Sequence, residues 1–135
     1  MTRRLPTIAV AVAATLAVWL VAVPIAGVDL AARGGAGTIA VGPVAVVIAT
    51  AVAGLAGWAL LAVLERLTRR ARAIWTAVAA AVLVLSLLGP LGGVNAGSQL
   101  TLALMHLAAG AVIIFGMRGT ATRSHGVPAN SRAHT

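Results

Sequence analysis

Residues 43–88 read PVAVVIATAVAGLAGWALLAVLERLTRRARAIWTAVAAAVLVLSLL, two apolar runs on either side of a basic segment at 65–72. A bilayer core of roughly 30 Å is crossed by about 20 helical residues. The first run, Pro43 to Leu64, meets that length, and Pro43 suits the first turn of a helix. The stretch therefore predicts two membrane-spanning helices joined by a basic loop.

The composition of the whole chain agrees with this interpretation. Of its 135 residues, 61% are apolar and 9% are charged. Soluble domains average about 45–50% apolar and about 25% charged residues. So few charges cannot cover the surface of a soluble enzyme, and so much apolar surface excludes a disordered protein. The chain belongs to the integral membrane class.

Two further apolar runs flank the central pair, which predicts an all-α integral membrane fold: an antiparallel four-helix transmembrane bundle with short loops. The last two runs are short, so the bilayer must thin around them or flanking residues must help. Glycines at 34, 35 and 37 and Gly89-Pro90 interrupt the helices. The predicted spans are 5–28, 43–64, 73–89 and 100–117 within a domain of residues 1–117, and residues 118–135 are predicted to form a disordered cytoplasmic tail.

The positions of the arginines predict the orientation of the bundle. Nine of the ten arginines lie near the two ends of the chain or in the middle loop, which the four spans place on one side of the membrane. Only Arg33 lies on the other side of the membrane. Cytoplasmic segments of membrane proteins are enriched in Lys and Arg, so both termini are expected in the cytoplasm of a multi-pass cell-membrane protein. A cleaved signal peptide is disfavoured because the N-terminal apolar run, residues 5–28, is longer than the apolar part of a usual signal peptide. The topogenic loop arginines are Arg66, Arg69, Arg70 and Arg72.

The same charges bear on the partners of the protein. The expected partners are the lipid bilayer and anionic lipid at the arginine loop, because basic loops attract negatively charged headgroups. Nucleic acid is not expected, since the arginines flank apolar runs instead of covering one face. Glu65 precedes Arg69 by four residues, which predicts a helical ion pair. The three tryptophans are interpreted as anchors at the membrane interface.

His106 is the one ionisable side chain inside a predicted span. Polar groups at such depth usually face the bundle interior. Ser86 of the third span is expected at comparable depth and near enough for a hydrogen bond. Two interpretations remain open: a histidine that is bonded to Ser86 or a backbone carbonyl and only joins helices, or a ligand or proton site. The candidate polar site, placed toward the outer side, consists of His106, Ser86, Gln99, Asn95 and Asp29.

The second span carries a small residue every fourth position, which allows close helix approach in membranes. The stripe is explained by packing inside the bundle or by a homo-oligomer face. Its members are Ala45, Ala49, Ala53 and Gly57.

Catalytic and cofactor chemistry finds little support in the sequence. No cysteine is present, which excludes disulfides and thiolate sites. No metal site and no cofactor are expected, because a membrane haem normally needs a second histidine beside His106. The expected function is a structural or interaction protein, and the sequence favours no enzymatic activity. The alternative is a small permease or ligand-binding protein with a pocket around His106 and Ser86.

The chain also resembles an uncharacterised family of small four-span membrane proteins from high-GC Gram-positive bacteria. The resemblance covers residues 8–117 and is carried by segments 54–58, 65–66, 72–76, 86–91 and 102–107. It implies the four-span fold but no activity. The matching positions are Trp75, Ser86, Pro90, Met105 and His106.

Overall fold

The computed structural model describes residues 4–120, with the side chain of Thr120 left aside. Within this range there are four helical segments, each long and apolar enough to span a membrane, as predicted: Arg4–Ile25, Pro43–Leu67, Ala71–Gly92 and Ala96–Gly119. The elements are α1 (Arg4–Leu20) with a π-helical extension (Val21–Ile25), β1 (Ala31–Gly34), β2 (Gly37–Ala40), α2 (Pro43–Leu67), α3 (Ala71–Ser86), a 3₁₀ turn (Gly89–Gly92) and α4 (Ala96–Thr120).

The helices form a ring in which α1 packs against α2 and α4, and α3 packs against the other sides of α2 and α4. Contacts near one end of the molecule join Arg4 of α1 to Glu65 of α2, and contacts further along join Thr15 to Thr50. Residue numbers that rise along α1 thus meet numbers that fall along α2, so this pair is antiparallel. We call the end with Arg4 and Glu65 the arginine end and the opposite end, with β1 and β2, the hairpin end.

The buried core has two parts, one near each end of the bundle. The larger part lies toward the arginine end, where Leu61, Trp75 and Met117 are almost wholly buried. The smaller part lies toward the hairpin end and consists of Leu30, Val46 and Met105. The candidate site lies along α2 and α4, between these two clusters.

The first helix ends earlier than the predicted limit at residue 28. Pro24 lacks a backbone N–H, and around it the helix widens into a π turn in which the N–H of Ala26 bonds to the carbonyl of Val21 at 2.9 Å. Gly27 then adopts φ +68°, a left-handed conformation that ends helices and that glycine accepts without strain. The regular α-helix therefore stops at Leu20.

The first connection is a β-hairpin, where the sequence predicts only a short glycine-rich loop. β1 and β2 pair antiparallel around a turn at Gly35 and Ala36, with Ala31 opposite Ala40. Ala32 also forms a β-bridge to Gly93 in the segment before α4. The hairpin thus ties the connection between α1 and α2 to the connection between α3 and α4.

The fourth helix is longer than predicted at both ends. It starts at Ala96, four residues before the predicted start, because Asn95 accepts a hydrogen bond from the N–H of Ser98 at 2.8 Å and caps the first turn. It continues to Thr120, so Arg118 lies on the helix instead of opening a tail. The rest of the predicted disordered tail, residues 121–135, lies outside the described residues.

Candidate functional site

His106 lies on α4 and is held by its own helix. Its Nδ1 lies 2.7 Å from the carbonyl oxygen of Leu102, one turn earlier. Because a carbonyl oxygen only accepts hydrogen bonds, Nδ1 must carry the proton in this contact. Nε2 is then the ring atom that can bind another group, and it is an acceptor in the neutral imidazole. This bond is compatible with both interpretations of His106, as a residue of the bundle structure and as a ligand or proton site.

Nε2 has no hydrogen-bond partner among residues 4–120. In the same part of the chain, no fully buried side-chain nitrogen or oxygen lacks a partner. Nε2 is therefore not sealed in the core, and the His106 side chain is half-buried. An acceptor without a partner on an apolar helix is a candidate binding group.

Two cavities have His106 in their walls. The α3 cavity has a volume of about 390 Å³ and lies between α2, α3 and α4. The α1 crevice has a volume of about 260 Å³ and lies between α1, α2 and α4. Ala53, His106 and Ala109 line both of them. His106 is thus the polar side chain on the wall between two mostly apolar spaces.

Ser86 lines the α3 cavity together with His106 but is not bonded to it. The Ser86 hydroxyl donates to the carbonyl of Leu83 at 2.8 Å, within α3. Both side chains therefore bond to their own helices, and the predicted hydrogen bond between them is absent. The structure places the two residues in one cavity without joining α3 and α4 through them.

The other three predicted site residues lie at the hairpin end, away from His106. Asn95 caps α4, and the Gln99 side-chain amide donates to the carbonyl of Gly93 at 3.3 Å. Asp29 contributes its backbone carbonyl, which accepts from the Ser98 hydroxyl at 2.9 Å. Since α4 rises about 1.5 Å per residue, Asn95 lies roughly 16 Å from His106 along the axis. The predicted site thus separates into His106 and Ser86, which line one cavity, and three residues that fix the loops at the hairpin end.

Two polar residues of the site are absent from the sequence prediction. Thr15 and Thr50 share a hydrogen bond of 3.2 Å between their hydroxyls, and both line the α1 crevice. The signal that could have found them is a hydroxyl near the middle of each of the first two apolar runs, where any polar group needs a partner.

The small-residue stripe of α2 lines the cavities and does not meet a neighbouring backbone. Ala45, Ala49 and Ala53 are exposed in the single chain and line the α1 crevice, whereas Gly57 lines the α3 cavity. The close approach of α1 occurs instead at Gly54, which is not part of the stripe. A Cβ at Gly54 would lie 2.9 Å from Cγ1 of Ile8. A homo-oligomer face on the stripe stays a prediction.

Trp75 is not the interfacial anchor that the sequence predicts. Its side chain is 1% exposed, and its indole N–H donates to the carbonyl of Gly57 at 2.8 Å. Trp19 likewise donates to the carbonyl of Val41 at 2.9 Å. These tryptophans join elements of the bundle, because a buried indole N–H requires an acceptor.

At the arginine end, Glu65 pairs with Arg4 and not with Arg69. Nη2 of Arg4 lies 2.7 Å and 2.8 Å from the two carboxylate oxygens of Glu65, and Arg4 is buried. The local i to i+4 prediction is wrong because the antiparallel α1 brings Arg4 to the same carboxylate. This ion pair joins the first two helices.

Four other arginines surround a cleft of about 540 Å³ between α3 and α4, which we call the arginine cleft. Arg66 of the same predicted loop does not line it, although Arg118 of α4 does. Elsewhere within residues 4–120, no group of three His, Asp or Glu side chains is placed to hold a metal ion. The cleft is lined by Arg69, Arg70, Arg72, Ala73, Thr76, Ala77, Ala80 and Arg118.

The four helices within residues 4–120 are each long and apolar enough to span a membrane, which supports a multi-pass membrane protein. The family model described as a family of unknown function (DUF6069) matches residues 1–123, and the chain belongs to this family. The predicted resemblance to a family without assigned activity is thereby confirmed. The comparisons with curated proteins and with solved structures found no match.

Proposed function

We propose that this protein binds a small lipophilic molecule inside the membrane, in the α3 cavity, through a hydrogen bond to Nε2 of His106. The cavity volume of about 390 Å³ falls within the range of small-molecule pockets. Its walls are mostly apolar, with Ser86 and His106 as polar members. Such walls suit an apolar molecule that carries one hydroxyl or amide N–H.

The single observation that carries the proposal is the position of the His106 ring. The bond from Nδ1 to Leu102 holds the imidazole in one orientation, so that no ordering of the ring is required when a ligand arrives. A hydrogen bond in this low-dielectric setting is stronger than one in water. The proposed role is binding or passage of the molecule and includes no covalent chemistry.

The proposal includes the location and orientation inferred from the arginines: the cell membrane of a high-GC bacterium, with both termini in the cytoplasm. It is supported by the grouping of Arg4, Arg70 and Arg118 at one end and of Arg33 on the hairpin at the other. Reporter fusions at residues 33, 70, 95 and 125 test it. An external signal at residue 70, or a cytoplasmic signal at residue 95, would contradict this orientation.

A matched pair of probes tests the binding chemistry. 1-Naphthol carries a hydroxyl donor and naphthalene does not, but the two are otherwise alike. We expect 1-naphthol to move the ¹⁵N signal of His106 Nε2 in the detergent-solubilised protein and to bind about 5- to 30-fold more tightly than naphthalene, since one hydrogen bond contributes roughly 1–2 kcal/mol here. The variant His106→Leu should bind both equally and identifies the His106 signal.

Equal binding of the two probes to the unaltered protein would contradict the hydrogen bond to Nε2. A cavity-filling variant, Ala109→Leu, provides a second test, because it occupies the space next to His106 without removing the imidazole. It should lower the affinity for both probes. If both probes still bind Ala109→Leu as they bind the parent, they do not occupy this cavity.

The second candidate is the structural or interaction protein that the sequence predicts. It is favoured by the exposure of Ala45, Ala49 and Ala53, which would let a partner helix approach α2 closely. Because the chain contains no cysteine, single-cysteine variants report contacts cleanly. Efficient disulfide formation between copies of Ala49→Cys in membranes, but not between copies of Leu85→Cys, would favour a homo-oligomer over ligand binding.

A further inference from the structure

The arginine cleft concentrates positive charge on one side of the bundle. Four of its lining residues are arginines, and none is acidic. Neither of the two acidic residues of the chain lines the cleft: Glu65 forms an ion pair with Arg4, and Asp29 lies at the hairpin end. Charge of one sign in a concave space attracts an anion more strongly than the same charges spread over a surface.

The cleft continues from these arginines onto apolar surface. The wall below the guanidinium groups is formed by Ala73, Ala77 and Ala80 of α3, which are all exposed. These side chains are short, so they leave a shallow channel along a helix that belongs to the proposed membrane span. An inorganic anion would use only the arginines, whereas a molecule with an anionic head and an apolar chain would use both parts.

We propose that the arginine cleft binds the phosphate headgroup of an anionic phospholipid, with an acyl chain lying along Ala77 and Ala80 of α3. Guanidinium groups bind phosphate oxygens through charge-assisted and often bidentate hydrogen bonds. Binding in the cleft is more specific than a general attraction of anionic lipid to the basic loop. The cleft includes Arg118, which comes from α4, and it excludes Arg66, which lies in the last turn of α2.

Two double variants separate this site from non-specific attraction. Arg70→Gln/Arg118→Gln removes two arginines of the cleft, and both residues are exposed. Arg66→Gln/Arg33→Gln removes the same charge from exposed residues outside the cleft. Native mass spectrometry of the detergent-solubilised chain, titrated with phosphatidylglycerol or phosphatidylcholine, measures retained lipid.

The unaltered chain should retain phosphatidylglycerol in preference to phosphatidylcholine. Because each arginine near anionic lipid contributes about 1 kcal/mol, the cleft variant should lose roughly 10- to 30-fold in affinity for phosphatidylglycerol. The control variant should lose much less. Equal losses in the two variants would overturn the proposal, since they would show attraction by net charge alone.

Two further arms distinguish a lipid from a free anion. Inorganic phosphate in large excess should displace phosphatidylglycerol poorly, because it does not contact the apolar wall. Ala77→Trp should weaken phosphatidylglycerol retention, because the indole fills the channel, while the arginines stay in place. If phosphate displaces the lipid readily and Ala77→Trp retains it normally, the cleft is a free-anion site and the lipid proposal fails. Neither arm depends on His106, so this inference stands or falls separately from the proposed function.

Discussion

The two sides of the bundle are packed differently. On the α1 side, the helix meets its neighbours through Gly54, the threonine pair and the Arg4–Glu65 ion pair. On the α3 side, Trp75 forms the hydrogen bond to α2, and no α3 residue after it is fully buried. The α3 cavity lies on this second side. Apart from the close approach of Leu83 to Gly110, the α3 side is the less buried one and leaves room for a ligand.

The largest effect is expected where α1 and α2 approach most closely. Gly54→Val should destabilise the fold by about 3 kcal/mol, because its side chain would overlap Ile8, which is buried. Gly119→Val is the matched control, since nothing lies within 4 Å of a Cβ there. Unfolding of both variants in mixed micelles, followed by circular dichroism, measures the difference. Similar stabilities would contradict close packing of α1 against α2 at this position.

A smaller loss is expected from the ion pair at the arginine end. Arg4→Gln should cost about 1–2 kcal/mol, because it removes a charge-assisted contact whose arginine is buried. Arg66→Gln removes an exposed charge from the same end and should change stability by less than about 0.5 kcal/mol. The same unfolding assay compares the two. A greater loss for Arg66→Gln would mean that net charge, and not this pair, stabilises the end.

The threonine pair should contribute less again. Thr15→Val keeps the shape of the side chain and removes the hydrogen bond to Thr50, at a cost of about 0.6 kcal/mol, the average for such bonds between membrane helices. The double variant Thr15→Val/Thr50→Val should be no less stable than the single variant, because it leaves no unpaired hydroxyl in the crevice. Additive losses in this double-mutant cycle would show that the two residues act independently.

The smallest effect on stability is expected on the α3 side. His106→Leu should change the free energy of unfolding by less than about 0.5 kcal/mol, because the ring bonds to its own helix and not to a neighbour. Ser86→Ala should behave alike for the same reason. A loss from His106→Leu as large as that from Arg4→Gln would assign His106 to the structure of the bundle instead of to binding.

The sequence predicts the helices well because each apolar run has a physical limit. Pro43 and Pro90 mark where a helix can begin or must end, and the basic segment between α2 and α3 cannot enter the hydrocarbon. The β-hairpin escapes prediction because its alanines and glycines show no alternation of apolar and polar residues. Its pairing is fixed by tertiary contacts such as the bridge from Ala32 to Gly93.

The candidate site is predicted only in part for a related reason. A polar side chain inside an apolar span is visible in the sequence, so His106 and Ser86 are found. Their partners are not, because a carbonyl one turn earlier competes with any neighbouring helix for the same hydrogen bond. The ion pair of Glu65 is missed because helix pairing brings Arg4 closer than the local sequence suggests. Long-range contacts decide these details.

The bridge between Ala32 and Gly93 has a consequence for the biosynthesis of the protein. These residues are about 60 positions apart, so at a synthesis rate of about 5–20 residues per second the hairpin waits roughly 3–12 s for its partner strand. The Ala31 N–H waits longer still for the hydroxyl of Ser98. The first connection therefore cannot reach its final hydrogen bonding when α1 and α2 leave the ribosome. These hydrogen bonds form only after α4 has been synthesised, so the folding of the first connection is completed by the last helix.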